Sequence, residues 1–169
     1  KILLAVCALL MATLAFAQDE PVVIDNTTPG KLAQTLGAEM YTITNLKVTG
    51  SINSDDVATL RTMAGFMPEN VASDWYGSAE IISDYGHDTP LGNCAVLDLS
   101  EAHLVKGGKA YYTEEYLGDT YSIESDGKAN NYMFDRCYKL VSLVLPNELK
   151  RLPRQFVSRC PLLVNLQIG

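Results

Sequence analysis

The chain has little from which a reactive centre could be built: 169 residues hold only 4 Cys, 2 His and 1 Trp. It lacks a glycine-rich phosphate loop, a Gly-x-Ser-x-Gly nucleophile turn and a dinucleotide fingerprint. It also lacks the closely spaced Cys and His pairs of a zinc site. Basic residues are outnumbered, 13 against 20 acidic ones, for a net charge of −7. Phosphate binding needs clustered Lys and Arg, so nucleic acid is excluded as an expected partner. The acidic residues are scattered, as at Asp55-Asp56 and Glu114-Glu115, in the manner of a solvated surface rather than a metal cage.

A long apolar run occurs once, at the start. Lys1 is followed by apolar residues to Leu14, then Ala15-Phe16-Ala17, then the polar Gln18-Asp19-Glu20. A membrane-spanning helix needs about 20 apolar residues, whereas a basic residue, a short apolar stretch and a small-x-small site describe a secretory leader. Residues 1–17 are therefore expected to be cleaved, leaving a chain for the exterior with no transmembrane segment. Loss of Lys1 takes the net charge to −8. Cys7 departs with the leader, and Val6 before it is too large for a lipid-anchor site. The thiols left are Cys94, Cys137 and Cys160, an odd number that cannot all pair internally. With no Met at position 1 and strand-like residues running up to Gly169, the sequence reads as cut at both ends.

What is present in quantity is aliphatic residues at regular spacing. A shift of 23 residues lays Met133-Phe134-Asp135-Arg136-Cys137 on Phe156-Val157-Ser158-Arg159-Cys160 and carries Leu140, Leu143 and Leu145 onto Leu163, Leu166 and Ile168. The closing Leu-x-Leu has the period of a strand, so Leu143 and Leu145 point one way while Ser142 and Val144 point the other. One such unit cannot bury its apolar side alone, but stacked on a copy of itself it can.

Fainter versions lie upstream. Pro29 to Gly37 reads as a short helix with Leu32 and Leu36 on one face and Gly37 as its stop. Tyr41 to Gly50 alternates as a strand with Leu46 and Val48 as its apolar pair. Ser54 is the expected N-cap of a helix carrying Asp55 and Asp56 in its first turn and Val57, Leu60 and Ala64 at helical spacing until Gly65. Val96 to Ser100 is a further strand, followed by Ala102 and Leu104. Residues 66–93 and 106–130 show no clean period and are expected to be insertions on the outer or lateral side.

Asn131 to Pro146, with Phe134, Cys137, Leu140, Leu143 and Leu145 at their spacings, resembles a unit of the BspA-like leucine-rich-repeat surface proteins of Bacteroides-type bacteria. The copy from Leu152 to Gly169 departs in having Val157 at the aromatic position and Phe156 one place earlier. The resemblance runs over residues 29–169 and is densest from Asn131. It implies an α/β leucine-rich-repeat solenoid with short parallel strands and an N-terminal capping region of helix-strand-helix type. The division is then 1–17 leader, 18–130 cap and degenerate coils with insertions, and 131–169 repeats. It further implies a secreted or cell-surface protein making adhesive contacts with protein or glycan at a host or bacterial surface, an analogy of fold and family. The rival is a repeat region of a secreted enzyme whose catalytic domain lies beyond residue 169; a passive stalk is the third alternative.

Within the chain no catalytic, metal or cofactor site is expected. Cys94 with His87 and His103 is the only thiol and imidazole combination, and Cys94 precedes the apolar Val96-Leu97 as a structural thiol would. Asp84, His87 and Asp88 could be drawn as metal ligands, but Gly86 and Pro90 mark a turn. Asp119 to Gly127 lacks the alternating ligands of a calcium loop. Asn26-Thr27-Thr28 is a glycan acceptor only in a eukaryotic secretory pathway. Cys137 and Cys160, at one repeat position, are expected to be stacked buried thiols without a bond. The candidate binding surface is the outward strand set Asn45, Lys47, Val96, Asp98, Ser142, Val144, Asn165 and Gln167, with the tyrosines around Tyr111, Tyr112 and Tyr116 as the fallback.

Exported material from the native host should begin at Gln18; N-terminal mass spectrometry that finds Lys1 to Ala17 retained would contradict the leader.

Overall fold

Parallel pairing of short, alternating strands builds the core. The computed structural model describes residues 20–67, 91–116 and 119–169, so residues 1–19, with the expected leader, residues 68–90 and residues 117–118 lie outside the described residues. Strands β1 (Val22–Asn26), β2 (Asn45–Ile52), β3 (Val96–Asp98), β4 (Ala102–Leu104), β7 (Ser142–Leu145) and β8 (Asn165–Ile168) form one sheet in the order β1-β2-β3-β7-β8, with β4 also on β2. All its pairings are parallel. Helices α1 (Leu32–Leu36) and α2 (Ser54–Met63) accompany it, and β5 (Lys106–Tyr116) with β6 (Asp119–Asp126) makes a separate antiparallel ribbon. The chain is thus an α/β fold on a parallel sheet with few helices.

The register is the one the alternation requires. Leu46 pairs with Leu97, Leu97 with Leu143 and Leu143 with Leu166. Leu46, Val48, Leu97, Leu99, Leu143 and Leu145 are buried, each contributing about 2 kcal/mol of apolar burial. Leu166 and Ile168, expected in the core, are instead 36% and 48% exposed. They stand in the inward register, but β8 has a strand partner on one side only among the described residues, so no further layer covers them. At the opposite edge Val22 and Val23 are exposed on β1, a strand absent from the sequence expectations.

The 23-residue repeat is a repeat of backbone as well as of side chains. The non-glycine residues at positive φ among those described are Tyr132 and Gln155, at 58° and 53°, and Arg136 and Arg159, at 59° and 54°. Each pair is 23 apart. Such conformations are costly for residues with a Cβ, so their recurrence marks one turn built twice. The two turns are joined by Phe134 N–H to Phe156 O at 2.8 Å and Arg136 N–H to Ser158 O at 2.9 Å. Phe156, displaced by one position in the sequence, packs edge-on against Phe134 with ring centroids 5.7 Å apart, so the shift of the aromatic leaves the register intact.

Helix α1 forms as expected, burying Leu32 and Leu36, but Gly37 at φ 53° passes the chain into a 3-10 turn, Gly37–Tyr41. The strand expected from Tyr41 therefore begins at Asn45. Helix α2 is capped by Asn53 rather than Ser54. The Asn53 side chain accepts from the Asp55 and Asp56 amides, while Asp56 accepts from the Asn53 amide, a reciprocal capping box. Ser54, freed from capping, uses its hydroxyl to accept the Ser125 amide of β6. Residues 106–130 are accordingly more than an insertion without pattern. Tyr111, Tyr112, Ile123 and Ser125 are buried on the ribbon, and the Lys109 amide donates to Asp55 at 3.0 Å. Gly50, at φ +79°, brings β2 so close to β1 that an added Cβ would lie 2.7 Å from Asn26 O.

Asp56, buried at the start of α2, accepts three backbone amides: Gly30 at 2.6 Å, Leu32 at 3.0 Å and Asn53 at 3.0 Å. One carboxylate thereby ties both helices together. Asp56→Ala would leave those donors buried and unmatched, and should lower unfolding free energy by about 3 kcal/mol in urea titration; a loss below about 1 kcal/mol would show that water replaces the carboxylate.

Candidate functional site

The outward side of the parallel sheet gathers the residues that alternation singles out. In its first column Asn45 stands beside Val96, Val96 beside Ser142 and Ser142 beside Asn165. In the second, Val23, Lys47, Asp98, Val144 and Gln167 follow one another across five strands. None of these residues is buried, whereas their inward neighbours from β2 to β7 are. Val23, 58% exposed, extends the second column by a strand and was missed because β1 was.

Side chains along the columns interlock. Lys47 Nζ lies 3.8 Å from Asp98 and also donates to Glu101, which follows β3. The Glu101 hydrogen bond, with the nearby Asp98 charge, raises the Lys47 pKa against the opposing effect of desolvation. These groups are partly exposed at the surface, where such pairs add little stability; their effect is to fix a charged centre between the aliphatic Val23 and Val144. Beyond it, Asn165 donates to the Ser142 hydroxyl at 2.8 Å and Gln167 donates to Asn165 at 3.0 Å. Below Lys47, Thr49 donates to Asp25 at 3.1 Å. The result is a mixed polar and apolar face with a tethered amide cluster at one end. Thr49 follows from extending the strand period of β2 beyond Lys47, whereas Glu101 lies off the outward period of β3 and reaches the face only through Lys47.

The other sequence candidates do not join this face. Cys94 is 1% exposed, its thiol donates to Val96 O at 3.2 Å, and burial pushes its pKa up to about 12. His87, and with it the Asp84, His87 and Asp88 grouping, lies outside the described residues. His103 is exposed and 3.4 Å from Glu148. Asp119 to Asp126 is strand β6, and among the described residues no three His, Cys, Asp or Glu gather as metal ligands. Tyr111 and Tyr112 are 6% and 5% exposed, which corrects their choice as a fallback surface. Tyr111 donates to Asn131 O at 3.0 Å, and Tyr112 stacks on Tyr132 at 4.3 Å.

A buried charged cluster behind the sheet escaped the sequence reading. Arg61 of α2, 1% exposed, donates to the carbonyls of Tyr132 and Met133 and lies 4.0 Å from the centre of the Phe66 ring. Asp135 and Arg136, also buried, form an ion pair at 3.2 Å. Burial raises the Asp135 pKa, opposed by the charges of Arg136, Arg159 and Arg61. Arg61 stands on the same face of α2 as Val57, Leu60 and Ala64, but the sequence reading followed only the apolar residues of that face.

The two repeat thiols differ. Cys137 is fully buried and burial lifts its pKa well above the ordinary range. Cys160 is only partly buried, which corrects half of the stacked-thiol expectation. Its pKa is lowered, first by a hydrogen bond with Cys137. All three thiols are free.

No protein-family model matches the chain, and no curated protein matches it. Among the described residues no helix is long and apolar enough to cross a membrane.

At pH 8 a thiol of pKa about 12 is ionised to about one part in ten thousand. Iodoacetamide should therefore label native protein at Cys160 and reach Cys94 and Cys137 only after unfolding. Prompt labelling of Cys94 in native protein, located by peptide mapping, would contradict its burial.

Proposed function

We propose that the chain is the N-terminal part of an exported leucine-rich-repeat protein of BspA-like type, and that the outward face of its parallel sheet holds a protein or glycan partner at a cell surface. The observation that carries this reading is the alignment of Val23, Lys47, Asp98, Val144 and Gln167 into one column across five strands. A rigid array of this kind offers a wide contact area with little conformational entropy left to lose on binding. Two features support the repeat assignment: the 23-residue recurrence of the backbone turn, and the shared Leu-x-Leu register of β7 and β8. The leader at residues 1–17 supports export. The first described strand begins at Val22, a few residues after the expected cleavage at Ala17.

The test is a single variant carrying Lys47→Glu, Asp98→Lys, Val144→Lys and Gln167→Glu. Binding of the labelled protein to whole bacterial and epithelial cells and to an immobilised glycan array should fall by about tenfold or more, the effect of losing about 1.4 kcal/mol at the interface. Thermal unfolding should remain cooperative. Binding that persists unchanged in a folded variant would move the functional surface off this face.

A further inference from the structure

Cys137 and Cys160 occupy equivalent positions in the two copies of the left-handed turn, each directly following an arginine at positive φ. The backbone hydrogen bonds from Phe134 to Phe156 and from Arg136 to Ser158 hold those turns side by side. Neighbouring chains paired in this way lie about 4.8 Å apart, within the Cα separation of about 4.4–6.8 Å that a disulfide spans. Cys160 Sγ reaches back across the junction to Phe134 O at 3.0 Å, and the two thiols lie near enough to perturb each other's ionisation. Cys94 is excluded from this pairing by register, because Val96 aligns with Ser142 and so places Cys94 level with Leu140 rather than Cys137.

We propose that Cys137 and Cys160 are a reversible dithiol–disulfide pair, with Cys160 the thiol that meets the oxidant and Cys137 the one that resolves it. Exposure sets the order, since Cys160 is partly accessible and Cys137 is not. The co-reactant is a low-molecular-weight disulfide, RS–SR. Cys160, as thiolate, attacks one of its sulfurs; the S–S bond breaks, and the departing thiolate takes up the proton that Cys160 released. Cys137 then loses its proton and attacks Cys160 Sγ in the mixed disulfide, expelling the second thiolate, which is protonated in turn. Two protein thiols are oxidised and one RS–SR is reduced to two RSH. The bond closes a loop from 137 to 160 and fastens the last two strands of the sheet, the end left uncovered at Leu166 and Ile168, by restricting the unfolded chain.

The test treats the native chain with glutathione disulfide, quenches with iodoacetamide and maps peptides without reduction. The expected product has lost two hydrogens in mass, contains a peptide joining Cys137 to Cys160, keeps Cys94 as a thiol, melts at higher temperature and reverts with dithiothreitol. Cys137→Ser should stop at a glutathione adduct on Cys160, and Cys160→Ser should take up none. A persistent glutathione adduct in the unaltered chain, a bond involving Cys94, or no reaction of the folded protein would each overturn the proposal. The unaltered chain decides the matter even where a variant fails to fold.

Discussion

One backbone arrangement, repeated at each step, sets the register on which the rest depends. Thr44 O accepts the amides of both Ala95 and Val96; Ala95 O accepts those of Val141 and Ser142; Val141 O accepts those of Val164 and Asn165. Each strand is thus started at a fixed point by a carbonyl of the one before. A slip of one residue would turn every Leu-x-Leu inside out, exposing Leu97 and Leu143 and burying Asp98 beside them. Because the entry point is fixed at three successive steps, the aliphatic column inside and the mixed column outside are two consequences of one constraint.

The parts of the fold that alternation and spacing govern were legible in the sequence. Leu46, Leu97 and Leu143 align as the period requires, Leu32 and Leu36 share a buried face, and Val57, Leu60 and Ala64 line the inner side of α2. Illegible parts were decided by partners distant in sequence. Asn53 displaced Ser54 as N-cap because Asp56 returns the hydrogen bond to Asn53, while Ser54 has a partner 71 residues away in Ser125. Strand β1 carries only five residues, three of them consecutive aliphatics, and gains its identity from pairing with β2. The ribbon of β5 and β6 hid behind Thr, Glu and Ser on its open side, and its buried tyrosines serve α2 and the first repeat turn rather than a ligand.

For the candidate site, the eight outward positions were readable and their neighbours were not. Glu101 and Val23 join the face only through pairing and through the reach of Lys47. The buried Arg61, Asp135 and Arg136 were equally invisible, since a charge inside is tolerated only where carbonyls, rings and counter-charges surround it. That cluster binds α2 to the first repeat turn and points away from solvent, which separates the charges that hold the fold from the charges on the outer face of the sheet.

The central claim, that one register sorts neighbouring residues into core and contact face, is tested most directly by placing one carboxylate on either side of the same strand. Leu143→Asp and Val144→Asp differ by a single position on β7. Urea unfolding should show Leu143→Asp losing about 4 kcal/mol or failing to fold, because a charge then enters the apolar column. Val144→Asp should stay within about 1 kcal/mol of the unaltered chain. Equal losses, or a greater loss for Val144→Asp, would contradict the register and the binding face derived from it.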